Sequence, residues 1–262
     1  MRQRCVFTII REEYFYLEKW YNYYSRFFED RDIYIIHHVT SKPDTSVDFL
    51  RDKVNVIDVE EELFSSRWIR DTVQSQHHAL SEKYRIVVFG DVDEIVFVNP
   101  NRYKDLGVFL DWFDEQKEVN VVKCCSFTMM HQPDKEPDFD FDKTIMSQRR
   151  YWYRYNYYDK PLISKVPLQF EFGFHNCKES AVCWPWVLMI HFHQFDFKWY
   201  MKRHTKWAKE YKASEEDLKQ GWHYHYRKVD KELEHQFYHY YGTNQRITVS
   251  EIPDWVEKTL DI

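Results

Sequence analysis

Short apolar runs alternate with amphipathic segments over the first third of the chain. The continuous, β-prone runs are residues 5–10, 33–36, 54–59 and 84–89. Such runs are typical of buried parallel strands. Residues 12–28 and 63–83 instead place apolar side chains at helical spacing. Strands separated by helices predict βαβ units, a parallel sheet and a ligand site at the carboxyl ends of its strands.

The pattern changes in the second half of the chain. Residues 119–130, 165–174 and 187–192 predict further strands, residues 132–142 predict a loop, and the pattern is helical from about residue 197. We therefore predict an α/β domain over residues 1–203. A helical C-terminal extension over residues 204–262 is expected to pack on it.

Composition narrows the classes of function. The 262 residues include only 5 glycines, at positions that permit neither a GxGxxG nor a GxxxxGK[ST] loop, and no GxSxG occurs. A dinucleotide fingerprint, a P-loop and the usual serine-hydrolase elbow are therefore excluded. The net charge of −6 argues against a bulk electrostatic grip on nucleic acid, and we expect no nucleic-acid partner.

The cysteines and the apolar runs bear on the compartment. Five cysteines, an odd count with one adjacent pair and no CxxC, argue against a disulfide framework or a zinc–thiolate site. They are interpreted as reduced thiols. No run approaches the roughly 20 apolar residues of a membrane span, and the apolar run after the basic N-terminus is too short for a signal peptide. We expect a cytoplasmic protein without a transmembrane segment.

The motif Asp91-Val92-Asp93-Glu94 directly follows the fourth predicted strand. Carboxylates at the end of a buried strand repel one another, and a divalent cation would remove that cost. Mg²⁺ or Mn²⁺ typically uses carboxylates together with substrate phosphates. The motif therefore predicts a metal site; the alternative is a solvated turn, because Asp-x-Asp also occurs by chance.

Three stretches together resemble a known family. They are residues 10–13 with 17–21, residues 89–95, and residues 191–197 with Lys202. Their order and spacing are similar to those of GT-A fold glycosyltransferases, nearest the family 2-like group with a DxDE motif. Glu12, where that group usually has Asn, is one departure, and the late element lacks its Ser. The resemblance implies a Rossmann-like, mostly parallel central sheet flanked by helices. It also implies sugar transfer from a nucleotide-diphosphate donor, UDP-linked by expectation, to a hydroxyl of a glycan or glycoprotein.

The resemblance also implies roles for individual residues. Mn²⁺ or Mg²⁺ would be held by Asp91 and Asp93 with a late histidine, either His191 or His175. The donor would lie against the ends of the first strands, the following helix and the motif, at Thr8, Ile10, Arg11, Glu13, Gln74, His78, Asp91, Val92 and Asp93. Glu94 would orient the motif or the sugar, and an inverting enzyme would take its base from Asp138, Asp140 or Glu171. A structural role is the alternative for each of these residues outside the motif.

Aromatic and histidine clusters complete the candidate chemistry. The loop 134–140, the block 151–158 and the pair Trp184 and Trp186 would form either a sugar platform or part of the core. His235 and His239 have the spacing of a helical zinc site but lack its Glu, and His223 and His225 form a further pair. Two other functions stay open: a metal-dependent phosphoesterase or nuclease, and a non-catalytic carbohydrate-binding protein with a transferase-like fold.

Overall fold

In the part of the chain that the structure describes, the alternating pattern produces a ten-stranded sheet with helices between its strands. The computed structural model describes residues 2–210, 214–220, 228 and 230–262. The strands are β1 Arg2–Ile10, β2 Ile33–Val39, β3 Asn55–Glu60, β4 Tyr84–Phe89, β5 Glu94–Val98, β6 Val121–Met130, β7 Tyr151–Arg154, β8 Lys160–Ser164, β9 Val182–Gln194 and β10 Ser250–Glu251. The helices are α1 Tyr14–Tyr24, α2 Ser66–Ser81, α3 Leu106–Glu115, α4 Phe197–Glu210, α5 Glu215–Lys219, α6 Asp230–Tyr238 and α7 Asp254–Leu260.

The N-terminal strands form the parallel part of the sheet, in the order β3-β2-β1-β4. Central residues of β1 and β4 are almost completely buried, as their continuous apolar runs predicted. The predicted α/β class, with a central sheet flanked by helices, is confirmed. Because β1, β2 and β4 are parallel, their carboxyl ends lie at one edge of the sheet.

The strand direction changes where β8 pairs with β4 in the antiparallel sense. Beyond β8, the sheet continues through β6 to β9, and β5 pairs antiparallel with β9. The β5–β9 register places Glu94 opposite His191. The acidic motif after β4 and the histidines of β9 are thereby brought together.

One predicted strand is wrong. Residues 165–174 contain no extended strand but an irregular segment that ends in the 3₁₀ turn Phe172–Phe174, whereas the strand β8 precedes them. Pro167 lacks the N–H that a ladder needs. Gly173 has a φ of 74°, a left-handed conformation that suits glycine.

The C-terminal segment is joined closely to the sheet. The boundary predicted at residues 203 and 204 falls inside α4. Strand β10 pairs with β7, while Val256, Leu260 and Ile262 are buried in the main core. His223 and His225 lie outside the described residues. None of the described helices is long and apolar enough to cross a bilayer.

Candidate functional site

A cleft of about 840 Å³ lies at the carboxyl ends of the parallel strands. Its walls come from the ends of β1 and β2, the turn after β4, the 153–160 segment, β9 and α4. The proposed donor contacts Ile10, Arg11, Glu13, Asp91, Val92 and Asp93 all line it. Open α/β sheets bind ligands at this edge because the strand ends and the following turns meet there.

The motif turns tightly from β4 into β5. The Glu94 amide donates to the Asp91 carbonyl at 2.9 Å, and the Asp91 amide donates to Glu94 Oε2 at 3.3 Å. Asp93 and Glu94 are buried, whereas a third of the Asp91 side chain is exposed. The turn therefore directs three carboxylates to the floor of the cleft.

Lys160, the first residue of β8, forms ion pairs with two of these carboxylates. Its buried Nζ lies 2.7 Å from Asp91 Oδ2 and 2.6 Å from Glu94 Oε1. Burial alone would lower the pKa of Lys160, but the two carboxylates outweigh burial and raise it. Burial raises the pKa of Glu94, and Lys160 only partly opposes this rise.

Arg203 of α4 neutralises the third carboxylate. Its Nη1 lies 2.8 Å from Asp93 Oδ2 and its Nε lies 2.7 Å from Glu13 Oε1. Burial would raise the pKa of Asp93, but Arg203 and His191 outweigh it and hold the pKa well below its ordinary value. Within this network, the four carboxylates of Glu13, Asp91, Asp93 and Glu94 face two cations, which leaves two negative charges in excess.

Asp93 also meets two histidines of β9. Ligand atoms of Asp93, His191 and His193 lie within 4.8 Å of one another. His191 and His193 share one face of β9 because side chains alternate along a strand, and their ring centroids are 5.2 Å apart. Burial holds the pKa of His193 well below its ordinary value, so this ring is neutral, the form in which imidazole binds metals.

The side chains of Asp93, His191 and His193 match the ligand preferences of a divalent transition-metal cation. One carboxylate and two imidazoles suit Mn²⁺ better than Mg²⁺, which prefers oxygen. Asp93 retains lone pairs beyond the one that Arg203 takes, and the buried Nδ1 of His191 has no hydrogen-bond partner among the described residues. Asp91 is outside this group of three ligands. Asp91 and Asp93, both expected as metal ligands, form ion pairs with different side chains, Asp91 with Lys160 and the buried Asp93 with Arg203.

His175 lines the cleft apart from that group. Its ring stacks on Tyr158 with centroids 5.6 Å apart, and burial lowers its pKa to about 3. His239 also lines the cleft, and its ring stacks on that of His235 at 3.8 Å. Neither histidine of this helical pair is in a three-ligand group of the described residues.

Three predicted donor contacts lie behind the cleft wall. Thr8 is fully buried and its hydroxyl donates to the Ile9 carbonyl. Gln74 Oε1 accepts from the Phe170 amide, and His78 Nε2 bonds the Leu168 carbonyl. Gln74 and His78 therefore fix the segment after β8, because their face of α2 is turned toward that segment.

The three proposed bases also lie away from the cleft lining. Asp138 pairs with Lys198 on the surface, Asp140 pairs with Lys143, and Glu171 is exposed. Trp184 and Trp186 stack on each other, and Trp184 packs against Phe109 and Trp112 of α3. The tyrosines of the 151–158 block that do line the cleft are Tyr153, Tyr155, Tyr157 and Tyr158.

Lys160 and Arg203 are functional candidates beyond those predicted, and His193 joins them through the strand face that the alternation of side chains predicts for it. Arg203 follows Lys202 of the late motif, and His193 shares a strand face with His191. The sequence contains no comparable signal for Lys160, because its partners are 66 to 69 residues away in the chain.

Comparisons with known proteins give only a distant structural likeness. No family model and no curated protein matches the chain. A crystal structure of S. aureus TarS 1–349 matches with 13% identity and a TM-score of 0.35, over 79% of this chain and 66% of that one. A longer S. aureus TarS structure matches with 10% identity and a TM-score of 0.35, over 79% of this chain and 40% of that one.

A third match is mouse xyloside xylosyltransferase 1 in its apo form. It has 8% identity and a TM-score of 0.22, over 50% of this chain and 53% of that one. The chain thus spans at most about two thirds of these structures. Because all three TM-scores are below 0.5, no residue role is transferred from these proteins.

Proposed function

We propose that this chain is a glycosyltransferase that moves a sugar from a UDP-linked donor to a hydroxyl of a glycan or glycoprotein. The observation that carries the proposal is the buried Asp93, which meets His191 and His193 in a cleft at the carboxyl ends of the parallel strands. A carboxylate with two imidazoles at this edge suits a cation shared with a bound diphosphate.

The charge balance explains why donor and metal should bind together. A nucleoside diphosphate is an anion, and the ion-pair network already carries two excess negative charges. Asp93, His191 and His193 would hold a divalent cation, which would offset that excess and supply Lewis-acid chemistry to the diphosphate leaving group. Lys160 and Arg203 are already included in that balance, and their ion pairs hold the carboxylates in place. Arg11 at the rim is a further phosphate contact, and Asp91 faces the ribose.

The acceptor would bind against one wall of the cleft, the acceptor wall, which consists of Tyr153, Tyr155, Tyr157 and Tyr158. Tyr157 is 73% exposed, and its ring lies 5.2 Å from that of Tyr155, which in turn lies 5.0 Å from that of Tyr158. Aromatic faces of this kind stack on the C–H side of sugars. Glu94 orients the motif through Lys160. Two-metal phosphoesterase chemistry is less favoured, since the second three-ligand group of the described part of the chain, Cys125, Asp159 and Cys183, does not line the cleft.

Calorimetry with UDP tests the proposal. UDP should bind the intact chain with Mn²⁺ and much more weakly without it, and ligand binding should raise the melting temperature accordingly. Asp93→Asn should abolish the Mn²⁺-dependent binding, while Asp138→Asn, an exposed aspartate outside the cleft, should bind like the parent.

Two results would contradict the assignment. UDP affinity that is independent of Mn²⁺ excludes the shared cation, and unchanged binding by Asp93→Asn excludes this aspartate. A panel of UDP-sugars assayed for Mn²⁺-dependent hydrolysis then identifies the sugar. Binding without turnover on any acceptor or water would favour the non-catalytic carbohydrate-binding alternative.

A further inference from the structure

Two thiols face each other across β6 and β9, outside the cleft lining. Cys125 Sγ lies 3.0 Å from Cys183 Sγ, closer than the roughly 3.5–4.0 Å of ordinary non-bonded carbon contacts. Cys125 is buried and Cys183 is exposed. One sulfur is therefore accessible from solvent while the other lies directly behind it.

The strand pairing accounts for this approach. Strands β6 and β9 run parallel, with Cys183 paired to Lys123, and the register shifts between Lys123 and Cys125. Cys125 is paired with Leu188, so β9 carries extra residues between Cys183 and Leu188, and the two sulfurs approach each other across this irregularity.

We propose that Cys125 and Cys183 form a modification site at which a small-molecule disulfide, of the glutathione disulfide class, introduces a reversible intrachain disulfide. The Cys183 thiolate attacks one sulfur of the small disulfide, forms a mixed disulfide and releases one small thiol. The Cys125 thiolate then attacks the Cys183 sulfur and releases the second small thiol. Two protein thiols lose two protons and two electrons, and the small disulfide is reduced to two thiols.

The order of the two steps follows from the surroundings of each sulfur. Burial, followed by the contact with Cys183, raises the pKa of Cys125 to about 12. Cys125 is therefore a poor nucleophile for the first attack on the small-molecule disulfide. Once Cys183 carries the mixed disulfide, the short distance compensates for this poor reactivity. Cys124 is fully buried, and Cys177 contacts the Glu179 carbonyl instead of a thiol.

Cys125 and Cys183 are less suited to binding a metal ion than to forming a disulfide. Asp159 is the third member of the group, but its Oδ1 accepts from the Ser126 amide at 2.7 Å and its Oδ2 pairs with Arg154 at 2.7 Å. With Asp159 neutralised, the two sulfurs fall short of the tetrahedral ligand set of a structural zinc site.

The experiment uses the full chain, reduced and then incubated with glutathione disulfide. Remaining thiols are alkylated under denaturing conditions and mapped by peptide mass. We expect the parent to lose two thiols, retain no glutathione and yield one cross-linked peptide that contains Cys125 and Cys183; dithiothreitol should reverse this. Cys125→Ser should keep glutathione on Cys183, and Cys183→Ser should leave Cys125 reduced. Cys177→Ser is the matched control and should behave like the parent.

Several outcomes overturn the proposal. They are free Cys125 in the oxidised parent, stable glutathione on Cys183 of the parent, and a cross-link that persists in Cys183→Ser. Zinc that co-purifies with the parent, protects both thiols and is lost in Cys183→Ser would assign the pair to a metal instead. Cys125→Ala replaces Cys125→Ser if circular dichroism shows that the serine variant does not fold.

Discussion

Replacing Arg203 with methionine should destabilise the protein strongly, because the guanidinium is the cation between two buried carboxylates. Arg203 bonds Asp93 at 2.8 Å and Glu13 at 2.7 Å, and its own side chain is only 9% exposed. It also lies over the rings of Tyr16 and Trp207, at 4.7 and 4.2 Å. Methionine keeps much of the length and apolar contact but removes the charge.

The expected loss in free energy of unfolding is about 3–5 kcal/mol, the cost of removing one partner from a buried ion pair. That is a large part of the roughly 5–15 kcal/mol that stabilises a typical domain. The two carboxylates left behind are relieved by protonation. The loss should therefore shrink as the pH falls toward the pKa of Glu13, which burial raises above its ordinary value.

Urea unfolding at several pH values measures the effect as a shift in midpoint at constant slope. Arg67→Met is the matched control, because Arg67 bonds Glu216 with both side chains about half exposed; it should cost at most about 1 kcal/mol. A loss in Arg203→Met no larger than in the control would refute the reasoning. If the cleft binds a dication, Mn²⁺ should also stabilise Arg203→Met more than the parent, and equal stabilisation would contradict that.

The remaining predictions concern the metal group, the turn after β2 and the acceptor wall. His191→Ala should lower Mn²⁺ affinity at least about tenfold in calorimetry, whereas His175→Ala should not, since His175 lies outside the group with Asp93; equal losses would contradict the ligand assignment. His37 Nε2 lies 3.1 Å from Asp44 Oδ2 in a buried pair. Asp44→Asn should therefore lower the free energy of unfolding. Burial alone would raise the pKa of Asp44 and lower that of His37. Hydrogen bonding outweighs burial and holds the pKa of Asp44 below and that of His37 above their ordinary values. The loss should therefore be largest between about pH 4 and 6.5 and shrink as the pH rises through the pKa of His37; a pH-independent urea midpoint difference would count against it. Tyr157→Ala should raise the acceptor KM several-fold with little change in kcat, and initial rates that are unchanged across acceptor concentrations would remove Tyr157 from the acceptor wall.

Elements with a purely local signal were predicted well. The fourth predicted strand, residues 84–89, coincides with β4, and the helix predicted over 63–83 contains α2, which Ser65 caps by accepting from the Trp68 amide. Hydrophobic periodicity and capping depend on neighbouring residues, so they are legible without the fold. The strand predicted over 165–174 is wrong because the prediction rests on the apolar content of that segment, whereas Pro167 and Gly173 disfavour an extended strand there.

The candidate site was predicted only in part. Asp93 and His191 were both proposed as ligands, and the β5–β9 register brings their strands together. Asp138, Asp140 and Glu171, proposed as bases, lie outside the cleft lining. Nothing local distinguishes an acidic residue that faces a cleft from one that pairs with a surface lysine.

The amino-acid sequence by itself determined the alternation of strands and helices and the position of the acidic motif at the carboxyl end of a buried strand. Only the tertiary structure decided which charges meet there: Lys160 reaches Asp91 across 69 residues of chain, and Arg203 reaches Asp93 across 110. Periodicity reports which face of an element is apolar, and that is a property of adjacent residues. Ion pairing and desolvation instead depend on distances through space, which the sheet order and the packing of α4 establish.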